Sequence, residues 1–171
     1  MDLKAHARFS LQKSRNLAER LLGDFKTRED WLFQPHSKAN HALWITAHIA
    51  LADNQFGAVF RPDSARKPDG WDEWFWFGSQ LREDTGVYPD HEEVYAYYRD
   101  RRETLLEVLD ELTVDELSGP APEAAGQGPL AGAPSMGSAF FFIAYHEGVH
   151  TGQLTVVHRA LGNAPLFEPQ S

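Results

Sequence analysis

Four apolar stripes with steps of three and four residues constrain this chain most, and no convincing strand pattern accompanies them. Leu3, Ala7, Leu11, Ala18, Leu21 and Leu22 form the first stripe, and Gly23 supplies a stop. The second helix is expected to open near Ser37, an N-cap residue just after Pro35. It carries Leu43, Trp44, Ile45, Ile49, Leu51, Phe56 and Val59 before Pro62 ends it. The third starts at Asp90, with Pro89 ahead of it and Glu93 three residues on, an Asx form of the capping box. Its stripe is Val94, Tyr98, Leu105, Leu109 and Leu112. The fourth begins between Ser135 and Ser138 and runs through Phe140, Phe141, Phe142, Ile143, Leu154, Val157 and Leu161. It stops at Gly162-Asn163-Ala164-Pro165, where glycine suits a left-handed residue past a helix end.

The pattern predicts an all-α fold, a four-helix bundle with long crossover connections, as a single domain over residues 1–171. Residues 61–89 hold Trp71, Trp74, Phe75, Trp76 and Phe77, so this link must pack against something, either its own chain or a second copy. Residues 118–135 are rich in Gly, Pro and Ala and read as loop. Connections of this length are often functional.

Composition removes several classes of function. Zero cysteines exclude disulfides, thiolate zinc sites, iron–sulfur clusters and a cysteine nucleophile. A net charge of −9 opposes attraction to nucleic acid or anionic lipid. No apolar run is long enough to span a membrane, and the opening Met1-Asp2-Leu3-Lys4-Ala5-His6 has no signal pattern, so a cytoplasmic location is expected.

The chain has eight histidines, and three of them fall on apolar stripes. His146 and His150 continue the series Ile143, His146, His150, Leu154, Val157, Leu161, whose steps are all three or four. Residues at i and i+4 share a helix face, so two imidazoles can hold one ion. His48 lies in the series Ile45, His48, Ala52, Phe56 on the second helix. Each unpartnered buried imidazole would cost about 1–3 kcal/mol, and one divalent cation would satisfy all three. His36, His41 and His91 are expected to be solvated, and His6 and His158 to be structural or surface residues.

The string His146-Glu147-Gly148-Val149-His150 also matches the pair of ligands and general base of zinc metalloproteases. Position 153 is Gln and not the Gly of the extended protease pattern, Glu168 sits in a Pro-flanked tail, and no upstream strands hold a peptide. His48 is the better third ligand. A di-iron carboxylate bundle needs two Glu-x-x-His pairs, and only Glu147-x-x-His150 is present.

Trp44 and His48 in Leu-Trp-Ile-Thr-Ala-His-Ile-Ala, the block His146-Glu-Gly-Val-His150-Thr-Gly-Gln153-Leu, and the ending Leu161-Gly162-x-x-Pro165 together resemble the DinB-like (DinB/YfiT) metal-binding four-helix bundles. The resemblance spans nearly the whole chain. It implies a three-histidine site for a divalent metal ion, zinc or nickel, at the bundle's open end, and frequent dimers. Some members are thiol-dependent S-transferases or isomerases; the aromatic segment 71–77 departs from typical members.

Three neutral imidazoles leave an ion its full charge and an open coordination position, which suits catalysis. The leading expectation is therefore a metal-dependent transferase moving a small-molecule thiol onto an electrophile, with the thiol supplied by a cosubstrate. The alternatives are a metal-dependent hydrolase with Glu147 as catalytic base, or a non-enzymatic metal-stabilised dimeric binding protein. A homodimer is expected in any case. Glu147 lies about 100° around the helix from His146. It is expected to flank the histidine face as a partly exposed glutamate or as a partner to an imidazole N–H, with the general-base role as the alternative.

Overall fold

A computed structural model of the chain describes residues 2–121, 130 and 132–167, and within them it is all helical, with no strand. Four long helices form the bundle: α1 (Leu3–Leu22), α3 (Ala42–Phe60), α5 (His91–Glu111) and α7 (Met136–Ala160). Between them lie three one-turn helices, α2 (Arg28–Leu32), α4 (Trp71–Phe75) and α6 (Val114–Ser118). Two 3-10 turns, Pro62–Ser64 and Thr85–Val87, complete the long α3–α5 connection. The stretch expected as loop over 118–135 ends α6, and its residues 122–129 and 131 lie outside the described residues, as does Glu168.

Helix ends follow local chemistry. The Asp2 carboxylate accepts from Ala5 N–H at the start of α1, and Ser135 Oγ accepts from Ser138 N–H at the start of α7. Gly162, at φ 89°, follows α7 in the left-handed conformation expected there. Asp90 caps α5 as expected, but through Glu92 N–H instead of a box with Glu93. The second long helix begins later than expected. His41, not Ser37, is its N-cap, its Nδ1 accepting from Trp44 N–H at 3.0 Å. His41 is thus buried and not solvated, packed edge-on against Tyr88. His91 is half-buried beside Trp31, while His36 and His6 are exposed.

α3 packs chiefly on α5, and α1 on α7. The bundle interior has two apolar clusters. One gathers Ala18, Leu21, Ile45, Ile49, Val94, Tyr98 and Leu154; the other gathers Leu11, Phe56, Leu105, Leu109, Phe140 and Ile143. Each long helix gives one residue to an ion-pair network at the seam between the two: Arg15 of α1, Asp53 of α3, Arg102 of α5 and Glu147 of α7. The helices therefore meet in a polar layer between two apolar halves. Two guanidinium groups and two carboxylates make that layer neutral, as burial of charge requires.

The aromatic segment packs on its own chain. Trp71 and Phe75 are buried in the first cluster, and Trp44 Nε1–H donates to Trp74 O at 2.9 Å and Ser79 Oγ at 3.1 Å. Trp76 and Phe77 stay on the surface, 39% and 88% exposed, so the segment covers α3 with one face and leaves the other free.

Candidate metal centre

α3 delivers His48, and α7 delivers His146 and His150 one turn apart, as their apolar stripes require. One nitrogen from each ring lies within 4.8 Å of the others, so the three histidines form a group that can hold a metal ion. Hydrogen bonds to the far sides of two rings fix which nitrogen is offered. His48 Nδ1–H donates to Phe75 O at 2.8 Å, and His150 Nδ1–H donates to Gln153 Oε1 at 3.0 Å. Both rings therefore direct an Nε2 lone pair inward. His146 Nε2 faces His150 Nε2 at 3.2 Å. Two imidazole nitrogens on one tetrahedral zinc-sized ion stand about 3.3 Å apart, so the pair already has a chelating separation.

The rings are held ready in the neutral form. Burial is the main cause for all three. It pushes His48 down to about 4 and His146 down to about 3, in each case reinforced by the neighbouring imidazoles. His150 is also lowered by burial, against an opposing contribution from its bond to Gln153. Neutral imidazole is the form that ligates, so at neutral pH no proton has to leave before an ion enters. The donor set thus fits a divalent ion in its ligands, spacing and protonation. Trp44 stacks on His48 with centroids 4.9 Å apart and planes 9° apart, which locks the ring's orientation.

Glu147 is placed otherwise than the sequence suggests. It is fully buried, neither partly exposed at the pocket edge nor bonded to an imidazole. Its Oε1 accepts from Tyr98 Oη–H at 2.8 Å and pairs with Arg15 Nε at 2.8 Å. Its Oε2 accepts from Ser14 Oγ–H at 2.6 Å and Arg102 Nη1–H at 2.8 Å. Three hydrogen bonds, from Tyr98 to Oε1 and from Ser14 and Arg102 to Oε2, hold the carboxylate, and Arg15 adds an ion pair. Burial alone would favour the neutral acid, but Arg102 and Arg15 outweigh it and hold the carboxyl below its ordinary value. Asp53 completes the layer, accepting from Arg102 and Arg15. The partners of Glu147 come from two other helices, α1 and α5, and no local pattern in the sequence signals them. Gln153 was legible only as part of a motif, without its role of orienting His150.

The histidines open into a cavity of about 470 Å³, lined also by Trp44, Phe56, Trp76 and Phe77. Among the described residues, no carboxylate lines it. The model of the DinB superfamily matches residues 10–154, which span His48, His146 and His150. The chain belongs to the DinB superfamily. No curated protein and no solved structure matches it. The all-helical bundle and the histidine group agree with this membership, and Trp76 and Phe77 line one wall of this DinB chain's cavity. Among the described residues, no helix is long and apolar enough to cross a membrane.

Proposed function

We propose that this DinB protein is a metal-dependent transferase that joins a low-molecular-weight thiol to an apolar electrophile. The observation that carries this reading is an open group of three neutral imidazoles at the wall of an aromatic cavity that, among the described residues, holds no carboxylate. A zinc or nickel ion held by His48, His146 and His150 would supply the Lewis acidity that makes a thiol acidic near neutral pH. The protein's own groups supply the rest. Phe75 O and Gln153 aim His48 and His150, Trp44 holds the His48 ring, and Trp76 and Phe77 give a flat acceptor a stacking surface. In the reaction the thiol loses its proton to solvent, its sulfur forms a bond to the electrophilic carbon, and the leaving group departs with its electron pair.

Hydrolysis with Glu147 as base is the weaker reading, because that carboxylate is fully buried, does not line the histidine cavity and is held by Tyr98, Ser14, Arg102 and Arg15. We assign Glu147 a positioning role instead: it clamps α7 so that His146 and His150 face α3. A homodimer belongs to the proposal as well, and the exposed apolar residues Phe141, Tyr145 and Val149 on α7 are consistent with a covered face. A monomer by light scattering at high concentration would remove it.

The experiment is conjugation of several thiols to 1-chloro-2,4-dinitrobenzene, with the protein loaded with zinc or nickel and compared with the chelated form. Turnover is expected only in the loaded form. Ester or amide hydrolysis without conjugation would put the hydrolase first, and neither activity at full metal occupancy would favour a binding protein.

A further inference from the structure

A second concave site adjoins the histidine cavity. It measures about 250 Å³ and is lined by the 35–40 turn ahead of α3 and by Gln153, Val156 and Val157 of α7. Two residues join it to the metal centre. Asn40 lines both cavities, and Gln153 lines the second while its Oε1 receives the His150 Nδ1–H. Because Gln153 Oε1 is turned to His150, its amide NH₂ is the end left for other acceptors.

The polar groups of this groove have a common sense. Lys38 contributes an ammonium and is the one Lys or Arg lining either cavity among the described residues. His36 Nδ1 accepts from Lys38 N–H at 3.3 Å, which leaves its Nε2 as the N–H end of the neutral ring. Asn40 adds an amide. The turn carrying these groups is braced by Gln34 Nε2–H, which donates to Ala39 O at 2.7 Å, and by Ala39 N–H to His36 O at 2.9 Å. No Asp or Glu lines the groove among the described residues, although the chain carries 25 acidic residues against 16 basic. A donor-rich groove with one cation and no acid, in a protein of net charge −9, selects an anion. Val156 and Val157 floor it, so the anion arrives on a short aliphatic stem.

We propose that this groove is the subsite for a carboxylate on the thiol cosubstrate, whose sulfur reaches the histidine group past Asn40 and Gln153. The proposal rests on the thiol-transferase reading and names its substrate class: a thiol acid, bound with its acceptor in the separate aromatic cavity. The division follows from lining chemistry. Flat apolar surface belongs to Trp44, Trp76 and Phe77, and anion recognition to Lys38, His36, Asn40 and Gln153.

The test is calorimetric binding to the metal-loaded protein, which needs no turnover. The probes are matched pairs: 3-mercaptopropionate against 3-mercaptopropanol, and 6-mercaptohexanoate against 6-mercaptohexanol, with hexanoate as the carboxylate lacking sulfur. At least one thiol acid is expected to bind about tenfold or more tighter than its alcohol, about 1.4 kcal/mol. The exposed Lys38→Ala variant is expected to erase that difference and to leave the affinity of the alcohols unchanged. Equal affinities within both pairs would overturn the groove while leaving the thiol reading intact. So would a carboxylate preference that Lys38→Ala does not change. Hexanoate binding that depends on Lys38 and is as tight as that of 6-mercaptohexanoate would keep an anion site but overturn the thiol acid together with the transferase.

Discussion

Glu147 Oε2 and Arg102 Nη1 lie 2.8 Å apart at the seam between the two apolar halves of the bundle, and Glu147 directly follows His146 of the histidine group in α7. Arg102 also holds Asp53 of α3 through Nε at 2.9 Å and Nη2 at 3.0 Å. A single guanidinium thus ties the helix bearing His146 and His150 to the helix bearing His48. Arg15, stacked over the Tyr98 ring at 3.3 Å, repeats the link from α1. The charged layer fixes the rotation of α7 about its axis, and that rotation decides whether its two imidazoles meet the third.

Glu147→Gln preserves shape and removes one charge from a balanced set of four. Two buried guanidinium groups would then share one carboxylate, and breaking such a pair costs about 3–5 kcal/mol. Urea denaturation should show that loss. In the folded fraction, metal content should be retained and the transfer rate should fall less than tenfold. A drop of about 100-fold at unchanged occupancy would return Glu147 to the role of general base.

The ligand set makes a second, separable prediction. Untagged protein should carry about one divalent ion per chain, and His48→Ala, His146→Ala and His150→Ala should each reduce metal content. Gln153→Ala removes the acceptor that orients His150 and should weaken metal affinity about 10–100-fold without emptying the site at saturating metal. Elemental analysis and a competitive chelator titration measure both. Wild-type content in all three histidine variants would show that the ion sits elsewhere.

Much of this site was legible because His48, His146 and His150 keep the three-and-four phase of their apolar neighbours. Phase along one helix is local information. Glu147 was not legible, since a glutamate off the apolar stripe ordinarily reaches water, and the partners that bury it stand at positions 14, 15, 98 and 102. Arg15 and Arg102 mislead in the same way, as arginines are mostly surface residues. The start of α3 was misplaced for a different reason. Ser37 is the usual kind of cap, whereas His41 caps with a ring nitrogen and is held there by Tyr88, a contact from the far side of the α3–α5 connection.

The aromatic segment should govern the acceptor and not the fold. Phe77 is 88% exposed and lines the cavity, so Phe77→Ala should change stability by less than about 0.5 kcal/mol. It should raise KM for an aromatic electrophile several-fold with little change in kcat, and Trp76→Ala should act in the same direction. Steady-state kinetics over acceptor concentration provide the measurement. An unchanged KM in both variants would remove this cavity as the acceptor site.

His41 gives the protein without metal a measurable sensitivity to acid. Burial pushes its pKa down to about 4 from an ordinary 6.5, and the nearby Arg28 guanidinium lowers it further. The unfolded chain therefore takes up this proton first as pH falls. The contribution of His41 is complete above about pH 6.5, declines through the interval, and is spent below about pH 4, where both states are protonated. Linkage puts the loss at about 3 kcal/mol at most. His48 and His146 are lowered too and add to the slope, so the decisive quantity is a difference between proteins. Asn is a strong N-cap without a titrating group, so His41→Asn keeps the cap and removes the proton. The variant should lose some stability at pH 7, where the space beside Tyr88 is left unfilled. Its stability should nevertheless fall less steeply than wild type between pH 6.5 and 4 in urea titrations with chelator present. Parallel curves for the two proteins would mean that His41 does not titrate in this interval and that the acid sensitivity belongs to the metal-site histidines alone.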